Sequence, residues 1–313
     1  MQTPNDSFIF EQIHIDAARN ATDDFNLFHD KHKWKQISNN PFHGPIVLGF
    51  QLESLIEYQV RRYREAHHED RLIRDNGLHF SNYQFSFANV IKPGEAVTVD
   101  IKKSLFRAGD NTTLGNRISV KSEGNLALTG FKKESQSALF LPDPNLPQLK
   151  DLKRVPDRSM LPDSSFFIKR KFMNTSNAKN FLAGSLAEQA DYFDELEGKA
   201  VFPEIFPCGL ISCSLLEKAM NEHHDFVANP MVYASHKISI DRRQLAQLKS
   251  NDTLHILVRE TPVEASNQGL GYTSNASHLF ECYGLLKNNV ILYRALISLI
   301  SLQKILGTQR QTR

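Results

Sequence analysis

The most informative segment of the sequence is Asp24-Phe25-Asn26-Leu27-Phe28-His29, followed by Gly44-Pro45-Ile46-Val47-Leu48-Gly49-Phe50. An aspartate and a histidine five residues apart can hold one water between a carboxylate and an imidazole, and both groups can transfer protons near neutral pH. The Gly-containing apolar stretch is typical of the start of a buried helix, whose first N–H groups can stabilise charge that develops on a carbonyl oxygen. Taken alone, an N-capping Asp and a surface His would explain the first stretch equally well.

The same stretch resembles the signature of the MaoC-like, (R)-specific enoyl-CoA hydratase family, which runs roughly Asp-x-Asn-Pro-aliphatic-His. Asp24, Asn26 and His29 match it residue for residue. Leu27 stands where Pro is usual, and Phe28 where the family has an aliphatic residue. The resemblance favours a catalytic site over the N-cap interpretation.

The resemblance covers about residues 15–135, with its elements in the family's order. Residues 44–55 are similar to the segment that leads into the family's central helix, with Gly49 at the usual Gly and Leu48 at the usual His. Ser54 falls on a position that is Ser in many members. A strand, a Pro-Gly-Glu turn and a second strand follow at 80–99, and a last strand at 125–130.

The chain also resembles itself. Residues 49–57 and 209–217 share Gly, Ser, Leu and Glu at the same offsets, and 125–128 corresponds to 289–292 at nearly the same spacing. Two copies of one unit explain this most simply. We therefore predict an N-terminal unit at 1–140 and a C-terminal, degenerate unit at 166–313. The intervening segment 141–165 carries five of the thirteen Pro residues, which predicts a semi-rigid linker.

Hydrophobic periodicity predicts one long helix and several strands in each unit. Residues 49–64 and 209–223 place their apolar side chains largely on one helical face. Later segments alternate, for example at Tyr83, Phe85 and Phe87. A central helix wrapped by an antiparallel sheet is the hot-dog arrangement. We expect an α+β double hot dog whose two sheets are continuous, because single-unit relatives pair in this way as dimers.

The resemblance implies a hydro-lyase that interconverts (3R)-3-hydroxyacyl and trans-2-enoyl thioesters without a cofactor or a metal. Asp24 and His29 are the expected catalytic pair, with Asn26 orienting them, and the Gly49 N–H is expected to face the thioester oxygen. An apolar tunnel is expected to run along the central helix. Its expected substrate contacts are Phe42, Ile46, Phe50 and Ser54.

The expected partner is an acyl thioester of CoA or of acyl carrier protein, and basic residues near the tunnel mouth would suit either. With 37 basic and 35 acidic residues, the chain has no charge footprint for nucleic acid. Residues 1–6 show no signal-peptide pattern, and the apolar run 290–302 is too short to span a bilayer. We expect a cytoplasmic protein without a membrane partner. A homodimer of double hot dogs is the expected assembly.

The second unit lacks an equivalent of the first motif. Asp191 echoes Asp24, but no His follows five residues later. His223 and His224 sit at the far end of the second helix and are read as a solvated helix end rather than a second site. The second unit is expected to complete the substrate tunnel.

Three other functions fit parts of the same sequence. The other type of hot-dog dehydratase needs a His just upstream and a Glu five residues after the helix Gly; here Ser54 holds that position, Glu53 is one step early and His43 is misplaced. A hot-dog thioesterase could use Asp24 but would leave His29 unexplained. A non-catalytic acyl-binding protein stays open because of the two departures from the signature.

Overall fold

The structure is a computed structural model that describes residues 7–142, 152–162, 164–261 and 278–305. The sequence-based expectation for residues 1–6 lies outside this part of the chain. The N-terminal unit contains a long helix, α2, with a curved sheet around it. Its elements are β1 (Ser7–Ile9), α1 (Gln12–Thr22), α2 (Gly49–Ala66), α3 (Glu69–Asp75), β2 (Phe80–Phe87), β3 (Ala96–Ile101), β4 (Leu105–Arg107), β5 (Thr113–Ser122) and β6 (Asn125–Ser135).

The C-terminal unit repeats this order, with its central helix interrupted near the start. Its elements are β7 (Ser159–Met160), β8 (Phe167–Phe172), α4 (Thr175–Gly184), β9 (Phe193–Asp194), β10 (Lys199–Ala200), α5 (Ile205–Gly209), α6 (Ile211–Asn221), β11 (Met231–Asp241), α7 (Arg242–Leu245), β12 (Thr253–Thr261), β13 (His278–Leu285) and β14 (Ile291–Ser301). Strand, helix, short 3-10 turn, central helix and strand follow one another in both units. The internal repeat is therefore also a repeat of structure.

Eleven strands form one continuous sheet in the order β1-β3-β5-β6-β2-β11-β14-β13-β12-β8-β7, and β4 pairs with β5 beside it. The two halves meet where β2 and β11 run antiparallel, with Ser86 opposite Ser235 and Phe80 opposite Asp241. The predicted α+β double hot dog with continuous sheets is confirmed. The junction brings the start of β11 against the end of β2, next to the first turn of α2.

The helices of the two units share one hydrophobic core, which includes Ile15 on α1 and Phe181 on α4. Gly184 is required at this contact, because a Cβ there would lie 2.6 Å from the His14 carbonyl oxygen and 2.7 Å from the Ala18 nitrogen. The Gln51 side chain on α2 donates to the Gly184 carbonyl at 2.6 Å. The first turn of α2 is thus fixed against the other unit.

The predicted linker contributes to the fold where it is described. Residues 143–151 and 163 lie outside the described residues. Leu152 and Leu161 are buried against Phe166 and Ile168, and β7 pairs with β8 at the edge of the sheet. An edge strand needs only one hydrogen-bonded neighbour, so it tolerates nearby Pro residues that an inner strand would not. The proposed unit boundaries themselves stay a prediction.

Candidate active site

Asp24 is fixed at the end of α1. Asp23 has a left-handed backbone (φ 53°) that turns the chain out of the helix. The Arg19 side chain donates to the Asp24 carbonyl at 3.1 Å, and the Asn26 N–H donates to Asp24 Oδ1 at 3.1 Å. The Asp24 carboxylate is buried and lines a large cavity, with Oδ2 left for other partners.

His29 follows on a 3-10 turn that Asn26 caps, since Asn26 Oδ1 accepts the Phe28 N–H at 3.1 Å. His29 Nδ1 lies 2.8 Å from the Ile46 carbonyl oxygen. A carbonyl oxygen can only accept, so Nδ1 is the donor and Nε2 of the neutral ring carries the free lone pair. Nε2 lies 3.9 Å from Asp24 Oδ2, which is too far for a direct hydrogen bond but suits one water held by both atoms.

Gly49 is the first residue of α2 and also lines the cavity. The N-cap residue Leu48 has no polar side-chain atom, and within the described residues no acceptor lies in hydrogen-bond distance of the Gly49 N–H. A Cβ at Gly49 would lie 3.0 Å from the Phe87 ring and 3.2 Å from the Tyr233 ring, which explains the glycine. The N-terminus of an 18-residue helix with a free N–H can bind a carbonyl oxygen that gains negative charge.

The cavity that joins these groups has a volume of about 990 Å³. That is at the upper end of the range usual for ligand sites. Phe42 and Ile46 line it, as expected. Phe50 and Ser54 are buried on α2 outside the lining: the Phe50 ring stacks on His236 at 4.5 Å, and the Ser54 hydroxyl has no partner in the described residues. Substrate contact by Phe50 and Ser54 stays a prediction that this placement does not favour.

The cavity also extends differently from the expected tunnel. It touches α2 at Gly49 and Leu52 and then runs between the two units, rather than following α2 along its length. Apolar residues of both units form its wall, and the C-terminal unit contributes Leu215, Leu216, Val232, Leu279, Phe280 and Leu299. The expectation that the second unit completes the substrate cavity agrees with this lining.

The cavity wall carries more acidic than basic side chains, and the expectation of basic residues near the mouth stays a prediction. Lys237 is the one lysine among the lining residues, and there is no arginine among them. Five carboxylates line the cavity: Asp24, Glu95, Glu123, Glu222 and Glu260. A phosphate-bearing carrier would therefore not be held by the cavity wall itself.

The corresponding place in the C-terminal unit is closed. There α5 begins after Glu204, four residues before the Gly209 that the sequence repeat places opposite Gly49. Pro207 is tolerated inside the first turn, where no intrahelical bond needs its N–H. The Glu57 carboxylate on α2 accepts the N–H groups of Glu204 and Ile205, both at 2.9 Å. A side chain of the chain itself thus occupies the second helix start.

A buried charge cluster surrounds this contact. Glu204 accepts hydrogen bonds from Ser81 at 2.6 Å and Tyr83 at 2.5 Å, and Lys132 Nζ lies 3.3 Å from it. Tyr192, which follows the second 3-10 turn, donates to Glu57 at 3.3 Å. The predicted echo at Asp191 lies on that turn, without a histidine partner. These contacts fill the second position and favour one site per chain.

Glu57 should make stability depend on pH. Burial, with repulsion from Glu204, raises the pKa of Glu57 to about 7. Between pH 4.5 and 7 the folded chain then holds a proton on Glu57 that the unfolded chain has released. The free energy of unfolding therefore falls as pH rises through this range. The fall is roughly 3 kcal/mol, at about 1.4 kcal/mol per pKa unit. Glu57→Gln should flatten this slope in urea unfolding at pH 5, 6, 7 and 8. The exposed Glu188→Gln should keep it, and equal slopes in wild type and Glu57→Gln would contradict the assignment.

The residues of the rival dehydratase chemistry do not meet in the cavity. Glu53 is fully buried and Oε1 contacts His236 Nδ1 at 2.9 Å, while His43 is exposed. Neither Glu53 nor His43 lines the cavity.

Among the described residues, no group of three or more His, Cys, Asp or Glu is arranged to hold a metal ion. In the same part of the chain, no helix combines the length and the apolar character needed to cross a bilayer.

Sequence reasoning missed the contributions of Tyr233 and Ser212 to the cavity wall. Neither residue belongs to a recognisable motif. Only an indirect indication was present in the sequence. If the two sheets are continuous, the strand that follows the central helix of the C-terminal unit must run beside the central helix of the N-terminal unit. The exact neighbour of Gly49 depends on the register between β2 and β11.

No family model matches the chain, and no curated protein matches it in sequence. Solved structures match over nearly its whole length. It is similar to a putative MaoC domain protein dehydratase from Chloroflexus aurantiacus, with 9% identity, a TM-score of 0.56 and coverage of 95% of this chain and 93% of that one. A protein described as a MaoC-like dehydratase has 8% identity, a TM-score of 0.54 and coverage of 95% and 96%.

A third similar structure is a conserved hypothetical protein from Mycobacterium tuberculosis described as having a double hot-dog fold and as essential for bacterial survival during infection. Its identity is 12%, its TM-score 0.53, and the match covers 95% of this chain and 94% of that one. At such identities the likeness concerns the fold alone. The chain has the double hot-dog fold of these proteins.

Proposed function

We propose that the chain is a hydro-lyase that interconverts (3R)-3-hydroxyacyl and trans-2-enoyl thioesters. One observation carries the proposal: Asp24 Oδ2 and the lone-pair nitrogen of His29 lie 3.9 Å apart on a cavity wall that also holds the free N–H of Gly49. A water, an acid–base pair and a carbonyl-binding donor are the components that this reaction needs. The similarity to structures described as MaoC-like dehydratases supports the same class.

The proposed hydration moves two protons. His29 Nε2 takes a proton from the bound water as the water oxygen forms its bond to C3 of the enoyl group. The Asp24 carboxyl group delivers a proton to C2, and the imidazolium then returns a proton to the Asp24 carboxylate. The net change is the addition of one water, and dehydration follows the same steps in reverse.

Gly49 has a separate part in the proposal. As the water attacks C3, negative charge moves through the conjugated system onto the thioester oxygen. The Gly49 N–H and the positive end of the α2 dipole stabilise that charge. Asn26 acts on the geometry, because its N–H holds Asp24 and its side chain caps the turn that carries His29.

The carrier approaches from outside the cavity in this proposal. Lys31, Lys33 and Lys35 are exposed on the turn that directly follows His29. Asp30 holds this turn by accepting the Lys33 N–H at 2.9 Å, and beyond it the Ser38 N–H donates to the Val227 carbonyl at 3.1 Å. Three cations at this position suit the phosphate groups that both CoA and acyl carrier protein bring.

The test is an assay of hydration with trans-2-enoyl thioesters of C4 to C16 on both carriers. We expect turnover, and activity with the longer chains because the cavity is large and its wall is mostly apolar. Formation of the 3-hydroxyacyl product is followed by loss of enoyl absorbance and by product analysis on a chiral column. Hydrolysis of the thioester instead of hydration would favour a thioesterase.

A non-catalytic acyl-binding protein is the second candidate, favoured by Leu48 at the position where the family has His. Leu48 is buried on the cavity wall and has no polar side-chain atom. Binding of enoyl thioesters without any turnover on either carrier would select this function over the enzyme.

A further inference from the structure

Two hydroxyl groups of the C-terminal unit form a pair on the cavity wall. Ser212 lies at the start of α6 and Tyr233 near the start of β11, and both line the cavity. Their oxygens are 2.8 Å apart, and either can be the donor. Both side chains come from the unit that lacks the Asp24–His29 motif.

The pair lies beside the proposed reaction centre. Tyr233 Cδ2 would lie 3.2 Å from a Cβ built on Gly49, so the Tyr233 ring packs beside the start of α2, and its hydroxyl is on the wall of the same cavity. Burial raises the pKa of Tyr233 well above its ordinary value. Tyr233 therefore stays a protonated donor, and it lines the same cavity as Asp24.

The ring is also held firmly. It packs edge-on against His236 at 4.4 Å and against Phe50 at 5.7 Å. His236 is itself fixed by Glu53 at 2.9 Å. A hydroxyl on such a ring is a preorganised group, which is the condition for strong stabilisation of developing charge.

A count of protons shows that this pair has one donor to spare. Two hydroxyls carry two protons, and the bond between them uses one. Within the described residues no other acceptor lies in hydrogen-bond distance of either hydroxyl. Whichever of the two donates to the other, one O–H is left at the cavity wall.

We propose that the Ser212–Tyr233 pair donates this hydrogen bond to the thioester oxygen, as the second donor beside the Gly49 N–H. The inference rests on the proposed function and adds catalytic residues from the second unit. It also gives that unit a chemical part in the reaction, although it has no acid–base motif of its own.

The test compares Ser212→Ala, Tyr233→Phe and the double variant with wild type. Each single variant keeps one hydroxyl, freed to donate to the substrate, so its loss in kcat should be small. The double variant has no donor, and loss of one such donor costs about 10²–10³-fold in kcat. We expect the double loss in kcat to exceed the product of the single losses, with KM raised several-fold, as for a bond that forms to the ground-state carbonyl and strengthens in the transition state.

Matched controls are available in α6 and in β14, the strand that pairs with β11. Ser214→Ala removes a hydroxyl of α6 that bonds the Leu210 carbonyl at 3.3 Å, and Tyr293→Phe removes a buried hydroxyl without a partner among the described residues. Neither residue lines the cavity, so both variants should keep wild-type kcat. Melting temperatures of all variants separate folding effects from catalysis.

The outcomes distinguish the two proposals. Wild-type turnover with an unimpaired double variant overturns the role of the pair and leaves the proposed function standing. If wild type shows no turnover, calorimetry with the saturated thioester octanoyl-CoA decides. Several-fold weaker binding to the double variant than to the double control supports the contact, whereas equal binding, or none to wild type, overturns it.

Discussion

Asp24→Asn and His29→Ala should each lower the hydration rate by about 10²–10⁴-fold, the usual effect of removing a positioned acid–base group. The amide introduced by Asp24→Asn could still accept a hydrogen bond from the Asn26 N–H, but it could not exchange the proton for C2. The His29→Ala variant would leave the water without a base and the Ile46 carbonyl without its donor. The measurement is kcat and kcat/KM on crotonyl and longer enoyl thioesters.

Asp23→Asn is the matched control for this prediction. Asp23 is adjacent in sequence, its side chain is exposed, and it pairs with Lys171 rather than facing His29. Asn tolerates the left-handed backbone at this position, so the turn should be preserved. The control should keep wild-type turnover. Near wild-type rates in both Asp24→Asn and His29→Ala would exclude the acid–base assignment.

Glu134→Ala should lower the free energy of unfolding at neutral pH by about 3–5 kcal/mol, the usual cost of removing one partner from a buried ion pair. Glu134 is buried and contacts Lys132 Nζ at 2.5 Å and the Arg64 guanidinium, so its removal takes the nearest carboxylate from two buried cations. Lys132 then keeps Glu204 at 3.3 Å, and Arg64 keeps Glu69 at 3.9 Å. Burial alone would raise the pKa of Glu134, but the charges of Lys132, Arg64 and Arg242 lower it well below the ordinary value. The measurement is urea unfolding of wild type and variant.

The sign of the pH dependence follows from the lowered pKa. A carboxylate with a lowered pKa in the folded state contributes stability above its unfolded pKa and loses that contribution as pH falls. The difference between wild type and Glu134→Ala should therefore shrink under acidic conditions. Glu65→Ala, which removes an exposed partner of Arg61, should cost no more than about 1 kcal/mol. A similarly small loss for Glu134→Ala would refute the buried-pair argument.

The sequence was sufficient for the fold and for the main elements of the candidate site. Three sequence patterns carried this information: the Asp24–His29 spacing, the glycine at the start of α2 and the internal repeat. Each can be recognised in the sequence without knowing which distant residues come into contact. Phe50 and Ser54 show the limit. A helical wheel indicates which residues are buried, but it does not tell a buried side chain that faces a cavity from one that faces His236.

The rest depends on contacts between distant parts of the chain. Tyr233 reaches Gly49 because β11 pairs with β2 in one particular register, and no motif encodes that register. Glu57 occupies the start of α5 because that helix begins four residues earlier than the repeat suggests. Both contacts depend on how one unit packs on the other, and the periodicity of the sequence carries no information about that packing.

The carboxylate of Glu57 at the second helix start has a consequence for the whole molecule. A duplicated catalytic unit ordinarily doubles the number of reaction centres, and each copy is then constrained by the chemistry it performs. Here a group of the chain itself has taken the place where a second substrate would bind. Under the proposed function, the N-terminal half keeps the proton-transfer groups, and the C-terminal half is free to vary the part of the cavity wall that would contact the acyl group.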